Sequence, residues 1–584
     1  MMKEKEPIFA VISDEIFTDR EELLAYLKKI ALGAKVEKYI SQVLIGHRRV
    51  GKTEVLKRLY NQLFWEQDEV TPIYITFEEL SKESKAFAGE YLLNFLSQYV
   101  GFKNKEPKIV ANPTRAYILE RAMAFAQRND NRGIRRILEM YQNVLKSEET
   151  WPWLDCAVHA PRSVADWNKE PIFVMLDEFQ HVIEIRDENG IDPNVLGRYQ
   201  QEVESRRCPY LVTGSAVTLL TKDIIGRGSL FGRFRASYIR GLEGYHVFEL
   251  CQKLGKQYGV EVNPEMSAEL ARRTGGNPFY LDCIFAGAEG LGKNLSDIVS
   301  LNEVISYELT QGAIWSELYR QLNYYFMSIN EKGITKNIFY FATRYQDEKI
   351  DPKRIAENMR HWKVTEAQVR DVLLALSRAD LIEEKVAGTE FYNIKDPILR
   401  EFIEAWARVD VENATWEEAE AELLSKYRAM VGKYADFKGY TAELVIKFLM
   451  TKFNEQRVEG SEYFNCSGEI LLPRLIWVDS RRVKLETTPE YQIDIVGKKP
   501  PYLWLVEVKH TEKAVGISQV KKFEKACAVA EKVLNGEEVM RWYISVSGFS
   551  RQAANYLREK GFLYSDREQV NQLLSLFGLR KLPI

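Results

Sequence analysis

One short segment of the sequence has the residue types and the spacing of a phosphate-binding loop. Residues 46–53 read GHRRVGKT and match the pattern GxxxxGK[ST]. In this pattern, glycines let backbone N–H groups surround a phosphate, and the N-terminus of the following helix favours its negative charge. Lys52 is then placed to contact the β- and γ-phosphates of a nucleotide, and the Thr53 hydroxyl to bind Mg²⁺. We therefore predict a nucleotide site that includes Gly46, Gly51, Lys52 and Thr53.

An acidic pair complements this loop. Asp177 and Glu178 directly follow the apolar run 172–176, which is typical of a buried strand. At such a strand end, Asp177 can hold Mg²⁺ through water, and Glu178 can polarise a water molecule for attack on a phosphate. An Asp-Glu pair after a strand is common by itself. Together with the loop, it predicts a nucleotide-hydrolysing site.

Two further positions carry weaker signals for the same site. Ser215, or Thr213 two residues before it, lies at the end of the apolar run 210–213 and can either sense the γ-phosphate or cap the strand. Arg233 can supply positive charge to the transition state of phosphate transfer, although a surface arginine is the simpler interpretation. We keep Ser215 and Arg233 as candidate site residues.

A second group of charged residues lies in the C-terminal third of the chain. Asp494 belongs to the apolar stretch 491–496, and residues 497–501 are typical of a turn. In the next predicted strand, period-2 alternation puts Glu507 and Lys509 on one face. If the two strands form a hairpin, two carboxylates and one ammonium group meet at one point. Such a group can hold Mg²⁺ and position a water molecule for attack on a phosphodiester, with Lys509 orienting or activating that water.

Two residues outside this hairpin can contribute to the same site. Glu443, in the predicted helix at 441–448, can add a third carboxylate, so Glu443, Asp494 and Glu507 are the predicted metal ligands. Gln519 lies ten residues after Lys509, at the start of a helical run. An exposed, salt-bridged strand edge is the alternative interpretation of the same pattern.

The elements that must position the first site alternate between strands and helices. Apolar runs at 43–45, 73–77, 172–176 and 210–213 are separated by helical stretches, which predicts a mainly parallel sheet covered on both faces. We expect this core over residues 1–245, with a helical insert at about 81–168. The insert carries a basic cluster that is either a solvated helix face or a nucleic-acid or partner contact: Arg128, Arg132, Arg135 and Arg136.

The rest of the chain predicts four further regions. Residues 246–328 are helical and suggest a lid, and 329–410 have the order helix, helix, helix, hairpin that resembles a winged helix. The third of these helices carries both acidic and basic residues. The predicted winged helix can therefore either recognise a DNA sequence or bind another protein. An acidic linker helix follows at 411–433, and 434–584 form a separate α/β domain. The predicted fold is thus an α/β multidomain protein.

Composition excludes several classes of protein. The 584 residues suggest three to five domains at about 150 residues each. A hydrophobic fraction of 46% and a charged fraction of 28% are ordinary for folded protein, and a net charge of −3 excludes a uniformly basic nucleic-acid binder. The six cysteines form no CxxC pair, which argues against a disulfide framework or a structural zinc site. With no apolar run of about 18 residues, we expect a cytoplasmic protein without a membrane partner.

The motifs of the first 325 residues together resemble the archaeal-type ATPases of the STAND class. The matching pieces are FTDRE (17–21), GHRRVGKT (46–53), LDEFQ (176–180), TGS (213–215), FGR (231–233) and GGNPFYL (275–281). The resemblance implies an ASCE-type P-loop core, a helical lid, a winged helix and ATP-dependent switching. It also implies that Arg48 and Arg49 belong to the ATP site and that Asn277 and Pro278 lie near the nucleotide. The long helical insert departs from this pattern.

The C-terminal pattern is similar to the PD-(D/E)xK nuclease core found behind archaeal-type ATPases. The matching pieces are GYTAE (439–443), Asp494, EVK (507–509) and Gln519, within about 434–545. The proline that precedes the first aspartate in that motif is missing here. The resemblance implies a catalytic group of Glu443, Asp494, Glu507, Lys509 and Gln519.

The sequence therefore favours an ATP-binding and ATP-hydrolysing switch coupled to a Mg²⁺-dependent DNA nuclease. DNA is the expected partner, and homo-oligomerisation stays open. The main alternative is an ATP-gated signalling or scaffold protein whose nuclease-like domain only binds DNA or a partner. A winged-helix transcription regulator is a weaker alternative, because the presumed recognition helix is not basic.

Overall fold

The computed structural model describes residues 6–111, 114–215, 230, 232–328, 332–345, 349–386, 389–393, 396–430, 435–485, 488–511, 513–579 and 581–582. Phe231 of the FGR motif and the predicted turn residues Ala387 and Gly388 lie outside the described residues, as does the side chain of Tyr440. The chain divides into two compact units. The first comprises Met1–Gly241, Asn277–Phe279 and Glu317–Glu412, and the second Leu242–Gly276, Tyr280–Ser316 and Asn413–Ile584.

The N-terminal part of the first unit contains strands alternating with helices. The strands are β1 (Gln42–Ile45), β2 (Thr71–Thr76), β3 (Ile172–Asp177), β4 (Tyr210–Gly214) and β5 (Arg235–Tyr238). The helices are α1 (Glu21–Leu32), α2 (Lys52–Glu66), α3 (Ser84–Asn104), α4 (Pro107–Ala111), α5 (Arg115–Arg128), α6 (Arg132–Val144), α7 (Thr150–Val158), α8 (Ala160–Asn168) and α9 (Val195–Glu202). Short 3₁₀ turns cover Gly33–Val36 and Phe179–Glu184. Helices α3–α8 occupy the stretch predicted to be an insert.

These five strands form one parallel sheet in the order β2-β3-β4-β1-β5. Alternate residues of β1–β4 enter different cores. Val43, Ile73 and Val174 pack in one core with the insert helices. Leu44 and Tyr74 pack on the opposite face with α1 and α2. The sheet is therefore covered on both faces, as its near-continuous apolar strands predict.

A helical region follows the sheet in the sequence. Its members are α10 (Gly244–Tyr258), α11 (Pro264–Thr274), α12 (Pro278–Gly290), α13 (Ile298–Thr310) and α14 (Ala313–Ser328). The next region is α15 (Lys332–Thr343), α16 (Pro352–Asn358), a 3₁₀ turn (Arg360–Trp362), α17 (Glu366–Arg378), the hairpin β6 (Ile382–Val386) and β7 (Glu390–Asn393), and α18 (Pro397–Asp410). This is the predicted order of three helices and a hairpin, with a further helix after it. Val369, Leu373 and Leu376 of α17 are buried on one face.

The C-terminal part lies in the second unit. It contains α19 (Trp416–Met430), α20 (Ala435–Thr451), β8 (Gln456–Glu459), α21 (Gly460–Tyr463), β9 (Glu469–Leu472), β10 (Trp477–Val483), β11 (Tyr491–Lys499), β12 (Tyr502–Lys509), α22 (Ile517–Leu534), β13 (Glu538–Ser545), α23 (Arg551–Glu559), β14 (Leu563–Asp566) and α24 (Arg567–Leu576). Strands β10–β14 form a mixed sheet in sequence order, antiparallel from β10 to β12 and parallel from β12 to β14. Strand β11 extends to Lys499, so the predicted turn at 497–501 begins three residues later than expected.

Two of the helices predicted to form a separate lid share a hydrophobic core with the C-terminal sheet. Helices α10 and α11 both contact α20. Phe248 of α10 and Ala268 of α11 are buried in the same core as Leu444 of α20 and Trp504 of β12. Gly244, at the start of α10, lies so close to Leu444 that a Cβ there would be 2.4 Å from its Cδ2. The second unit therefore combines residues of the helical region with the C-terminal part, which is distant from them in sequence.

Among the described residues, no helix is long and apolar enough to cross a membrane.

Candidate nucleotide site and candidate carboxylate–lysine site

The phosphate-binding loop connects β1 to α2, as its sequence predicts. Gly51 has a φ of 96°, a left-handed conformation that favours glycine, and open space surrounds the position where a Cβ would lie. Gly46 packs tightly, because a Cβ there would be 2.5 Å from the Ile239 carbonyl oxygen. The two glycines thus have different roles: Gly46 allows close packing, and Gly51 keeps space open at the N-terminus of α2.

Lys52 lies in the centre of this loop. Its Nζ donates hydrogen bonds to the carbonyl oxygens of Gly46 at 2.8 Å and of His47 at 2.7 Å. Burial lowers the pKa of Lys52 and outweighs the opposing attraction of Glu178 and Asp177. An ammonium group bonded only to neutral carbonyls has a strong preference for an anion, so these contacts suit a residue that receives phosphate.

Asp177 and Thr53 meet directly. The Thr53 hydroxyl donates to Asp177 Oδ2 at 2.6 Å, and the Tyr74 hydroxyl donates to the same oxygen at 3.2 Å. Thr213 donates to the other carboxylate oxygen. A hydroxyl beside a buried carboxylate at the helix N-terminus is a donor set that suits Mg²⁺, which takes oxygen ligands. These residues therefore fit the predicted magnesium site.

Glu178 lies next to this group with a φ of 50°. The Ser215 hydroxyl donates to Glu178 Oε2 at 2.6 Å, and the Gln180 amide donates to the same oxygen. Burial favours the neutral acid, but the Lys52 charge and these hydrogen bonds outweigh it and lower the pKa of Glu178. Glu178 is therefore ionised at neutral pH and can accept a hydrogen bond from water.

The remaining predicted residues of this site fall into two groups. Asn277 Nδ2 donates to the backbone oxygen of Arg48 at 3.4 Å, and Pro278 begins α12 directly after it. Arg48 contacts Tyr325, and Arg49 contacts Glu317 and Phe279. Arg233 Nε donates to Glu204 at 2.8 Å.

The second candidate site lies where β11 and β12 pair. The register of this antiparallel pair begins at Ile495 and Val506, so Asp494 and Glu507 are adjacent, as predicted. The Val508 backbone N–H donates to Asp494 Oδ2 at 3.0 Å. Lys509 Nζ lies 2.6 Å from Glu507 Oε1 and 3.5 Å from Asp494 Oδ2. The two carboxylates and the ammonium group therefore do meet at one point.

Two carboxyl groups at this site, those of Glu507 and Glu443, have raised pKa values. Burial, and then repulsion by Asp494, raises the pKa of Glu507 to about 7. The same two causes raise the pKa of Glu443 to about 7. Burial lowers the pKa of Lys509, but Glu507 and Asp494 outweigh it, so its pKa is raised. The site has more negative charge than one lysine compensates, and a cation would relieve this repulsion.

The predicted metal ligands are only partly brought together. Among the described residues, no three His, Cys, Asp or Glu side chains are arranged to hold a metal ion. Mg²⁺ commonly binds through one or two carboxylates and retains several waters, so Asp494 and Glu507 fit it without a third ligand. Gln519 serves another purpose, because its Oε1 accepts a hydrogen bond from the Gly516 N–H at 2.9 Å at the start of α22.

The comparisons with known proteins concern the part of the chain that carries the first site. Residues 17–284 match an ATPase domain found predominantly in Archaea. The archaeal-type ATPase domain therefore includes the loop of Lys52, the acidic pair Asp177–Glu178, and Asn277. A comparison with curated proteins gives no match.

Several solved structures match this chain over about two thirds of its length. The walker-type ATPase PABY2304 of Pyrococcus abyssi is 16% identical, with a TM-score of 0.46 over 68% of this chain and 98% of that one. The ORC2 protein of Aeropyrum pernix, solved in ADPNP and ADP complexes, is 13% identical, with a TM-score of 0.38 over 70% and 95%. The RuvB Holliday junction branch migration motor of Thermotoga maritima is 10% identical, with a TM-score of 0.30 over 64% and 92%.

Sequence reasoning missed several residues that complete the two sites. In the archaeal-type ATPase domain these are Tyr74 and Gln180, which contact Asp177 and Glu178. In the second site, Tyr543 is the register partner of Glu507, is fully buried, and has a hydroxyl without a hydrogen-bond partner among the described atoms. Tyr74 and Tyr543 lie inside apolar strands, where a tyrosine is usually a core residue, so no local signal marks them.

Proposed function

We propose that the protein is an ATP-dependent molecular switch of the STAND type, coupled to a Mg²⁺-dependent DNA nuclease. The observation that supports it most strongly is the joint presence of two groups in one chain. One is the group of Lys52, Thr53, Asp177 and Glu178 in the archaeal-type ATPase domain. The other is the meeting of Asp494, Glu507 and Lys509.

At the first site, Lys52 would bind the phosphates of ATP, and Thr53 and Asp177 would hold Mg²⁺. When bound, the ion neutralises phosphate charge. Glu178, ionised and fixed by Ser215 and Gln180, would orient the attacking water. ATP hydrolysis is therefore the reaction that this geometry suits.

At the second site, Asp494 and Glu507 would hold Mg²⁺, and Lys509 would orient water or stabilise charge on the phosphodiester. A bound Mg²⁺ ion supplies Lewis-acid activation of the phosphate. The pKa of Lys509 is raised, so it acts as an ammonium group and a donor rather than as a base. DNA is the proposed substrate.

The shared core of the second unit supports coupling of the two activities. Glu443 lies on α20 between Ala442 and Leu444, and both neighbours are buried in the core that includes Phe248 of α10. Any rearrangement of α10 and α11 would therefore act on the helix that carries Glu443. We include in this proposal that residues 329–410 act as a winged helix and that the active form is a homo-oligomer bound to DNA.

Plasmid nicking tests the proposal. The full-length protein is incubated with supercoiled and linear DNA and Mg²⁺, with and without ATP. We expect ATP-dependent nicking by the wild type and none by Glu507→Gln, which keeps ATP hydrolysis. Lys52→Ala should lose ATP hydrolysis and the effect of ATP on nicking. The matched controls are Lys57→Ala on the same helix and Glu538→Gln on the neighbouring strand. Identical absence of nicks from the wild type and Glu507→Gln would exclude the nuclease.

A second function is favoured by one specific observation. Lys509 pairs with both carboxylates, and the described residues contain no metal-binding group of three. The C-terminal domain could therefore bind DNA or a protein without cleaving it, in an ATP-gated scaffold. In that case Lys52→Ala abolishes ATP-dependent assembly, and Glu507→Gln leaves assembly and DNA binding intact. Sedimentation with and without ATP distinguishes the two functions.

A further inference from the structure

Two adjacent arginines of the phosphate-binding loop are held in different ways. The Arg49 guanidinium pairs with the Glu317 carboxylate and lies 3.9 Å from the centre of the Phe279 ring. Arg48 Nη2 instead donates to the Tyr325 hydroxyl at 2.7 Å, and its guanidinium lies 5.5 Å from the centre of that ring. Among the residues that the structure describes, Arg48 pairs with no carboxylate. The charge of Arg49 is therefore compensated, and the charge of Arg48 is not.

Arg48 is also close to the groups that would surround the terminal phosphate. Arg48 directly follows His47, whose backbone oxygen accepts a hydrogen bond from Lys52 Nζ at 2.7 Å. The positive charge of Arg48 interacts with both Lys52 and Glu178. In phosphate-binding loops, the position of Lys52 contacts the terminal phosphates, and the position of Glu178 faces the attacking water. Arg48 is thus within electrostatic reach of both sides of the reacting phosphate.

Arg233, the arginine expected from the sequence to serve the reaction, is placed differently. Its Nε donates to Glu204 at 2.8 Å, which compensates its charge. A phosphate oxygen is a stronger partner for a guanidinium than a neutral phenol is, because the hydrogen bond is charge-assisted on both sides. Among the described contacts of the Arg48 side chain, the hydrogen bond to Tyr325 is the one that such a partner would replace.

We propose that Arg48 leaves Tyr325 for the terminal phosphate of bound ATP and stabilises its charge during hydrolysis. This inference rests on the ATPase function proposed above. In the reaction, water forms a bond to the γ-phosphorus as the bond to the bridging oxygen breaks, ADP leaves, and the water proton ends on inorganic phosphate. Arg48 donates to non-bridging γ-oxygens, where negative charge is concentrated. Tyr325 holds the guanidinium when no γ-phosphate is present.

Nucleotide binding is the first test, because it has a readout apart from activity. Competition with a fluorescent nucleotide gives the affinities of the full-length protein for ADP and for a non-hydrolysable ATP analogue. We expect Arg48→Ala to keep its ADP affinity within about threefold and to lose at least about tenfold in affinity for the ATP analogue. Equal preference for the two nucleotides in Arg48→Ala and wild type would overturn the proposal.

Hydrolysis is the second test. We expect Arg48→Ala to hydrolyse ATP about 100-fold more slowly than wild type, the typical effect of losing one charge-stabilising donor. Arg48→Lys should recover only part of this loss, because an ammonium group cannot make two parallel hydrogen bonds. If Arg233→Ala loses hydrolysis and Arg48→Ala does not, the role belongs to Arg233 and the proposal is wrong.

Tyr325→Phe should change the affinity for the ATP analogue in the direction opposite to Arg48→Ala. It keeps the ring and removes the hydroxyl that accepts the Arg48 hydrogen bond. We expect it to bind the ATP analogue up to about fivefold more tightly than wild type, because no hydrogen bond has to be broken first. Unchanged or weaker binding would contradict the resting role of Tyr325.

If Lys52→Ala loses nucleotide binding while Arg48→Ala behaves as wild type, only the Arg48 proposal fails. If Lys52→Ala and wild type are both inert, the ATPase function fails.

Discussion

Lys52 is buried and Lys509 is partly buried, and their surroundings shift their pKa values in opposite directions. Lys52 donates to two backbone carbonyls, so burial dominates and its pKa is lowered. Lys509 pairs with Asp494 and Glu507, whose charges outweigh burial and raise its pKa. The Lys52 ammonium group therefore has no anionic hydrogen-bond partner among the described residues and can bind a phosphate. The Lys509 ammonium group already pairs with two carboxylates. This difference is why a cation, rather than an anion, is the expected ligand of the C-terminal site.

The raised pKa values of Glu443 and Glu507 predict a pH dependence of Mg²⁺ binding. Both groups have a pKa of about 7, and Mg²⁺ requires the carboxylate form. Binding should therefore weaken as pH falls through 7 and release protons. A single group with this pKa makes the apparent Mg²⁺ affinity about tenfold higher at pH 8 than at pH 6. Calorimetry in buffers of different ionisation enthalpy measures both the affinity and the proton release.

Glu443→Gln separates the two carboxyl groups in this experiment. It should reduce the number of released protons and leave a pH dependence that Glu507 alone produces. The control is Glu538→Gln, an exposed glutamate at the start of β13. An Mg²⁺ affinity that is the same at pH 6 and pH 8 would mean that no raised carboxyl takes part in binding.

At the scale of elements, apolar patterning predicted most of the first sheet. Strands β1–β4 coincide with the apolar runs because both faces of a parallel sheet are buried. Strand β5 was missed because Arg235–Tyr238 is a largely exposed edge strand with a polar sequence. The turn at 497–501 was predicted too early, because Gly497 suggested a turn whereas it pairs with Trp504 inside the hairpin.

The contacts of the sites were less predictable than their positions. Period-2 alternation correctly placed Glu507 and Lys509 together, and the hairpin brought them to Asp494. The partners of Arg48 could not be found in this way, since Tyr325 lies 277 residues further along the chain. Gln519 matched a motif, yet its position three residues after Gly516 gave it a role in capping α22. Local residue spacing predicts which face of a strand or helix carries a side chain. The contacts of that side chain depend on tertiary packing.

A partly buried ion pair predicts that attachment of the insert depends on pH. His159, between α7 and α8, lies 2.8 Å from Glu202 at the end of α9, and this hydrogen bond raises its pKa against the effect of burial. Asp155, Arg162 and Arg198 also lie near the pair. A raised pKa of the folded state gives stability that is full below pH 6.5 and is lost as pH rises through the raised value.

We therefore expect His159→Gln to cost about 1–2 kcal/mol of unfolding free energy at pH 6 and clearly less at pH 8.5. Urea unfolding at the two pH values measures the difference. The exposed His361 provides the control, because His361→Gln should change stability little at either pH. An equal loss for His159→Gln at both pH values would show that packing, and not charge, explains the contribution of His159.

At the scale of the whole molecule, the two compact units do not follow the order of the sequence. The first combines the ATPase core with Glu317–Glu412, and the second combines Leu242–Gly276 and Tyr280–Ser316 with the C-terminal part. Residues 246–328 were predicted to be an independent lid. Phe248 and Ala268 instead share a core with Leu444 and Trp504, because apolar faces pair in space without regard to sequence distance.

This arrangement predicts that residues 434–584 are less stable alone than in the full-length protein. Removing α10 and α11 exposes the apolar side of α20, including Leu444 and Phe448, which Phe248 and Gly244 otherwise cover. We expect the fragment to bind a hydrophobic dye and to unfold at least about 5 °C below the C-terminal transition of the full-length protein. Equal unfolding temperatures would show that the shared core contributes little.

Phe248→Ala in the full-length protein should lower the free energy of unfolding of the C-terminal part by about 3 kcal/mol.

The contact between Gly244 and Leu444 also limits how this protein can evolve. A domain attached only through a linker can be gained or lost by one recombination event at the linker. Here the C-terminal domain depends on residues of α10 and α11 that are encoded far upstream, so an exchange at residues 413–434 would leave two mismatched apolar surfaces. Relatives that carry a different C-terminal domain should therefore differ at positions 244, 248 and 268 as well, and these positions should vary together with 444 and 448.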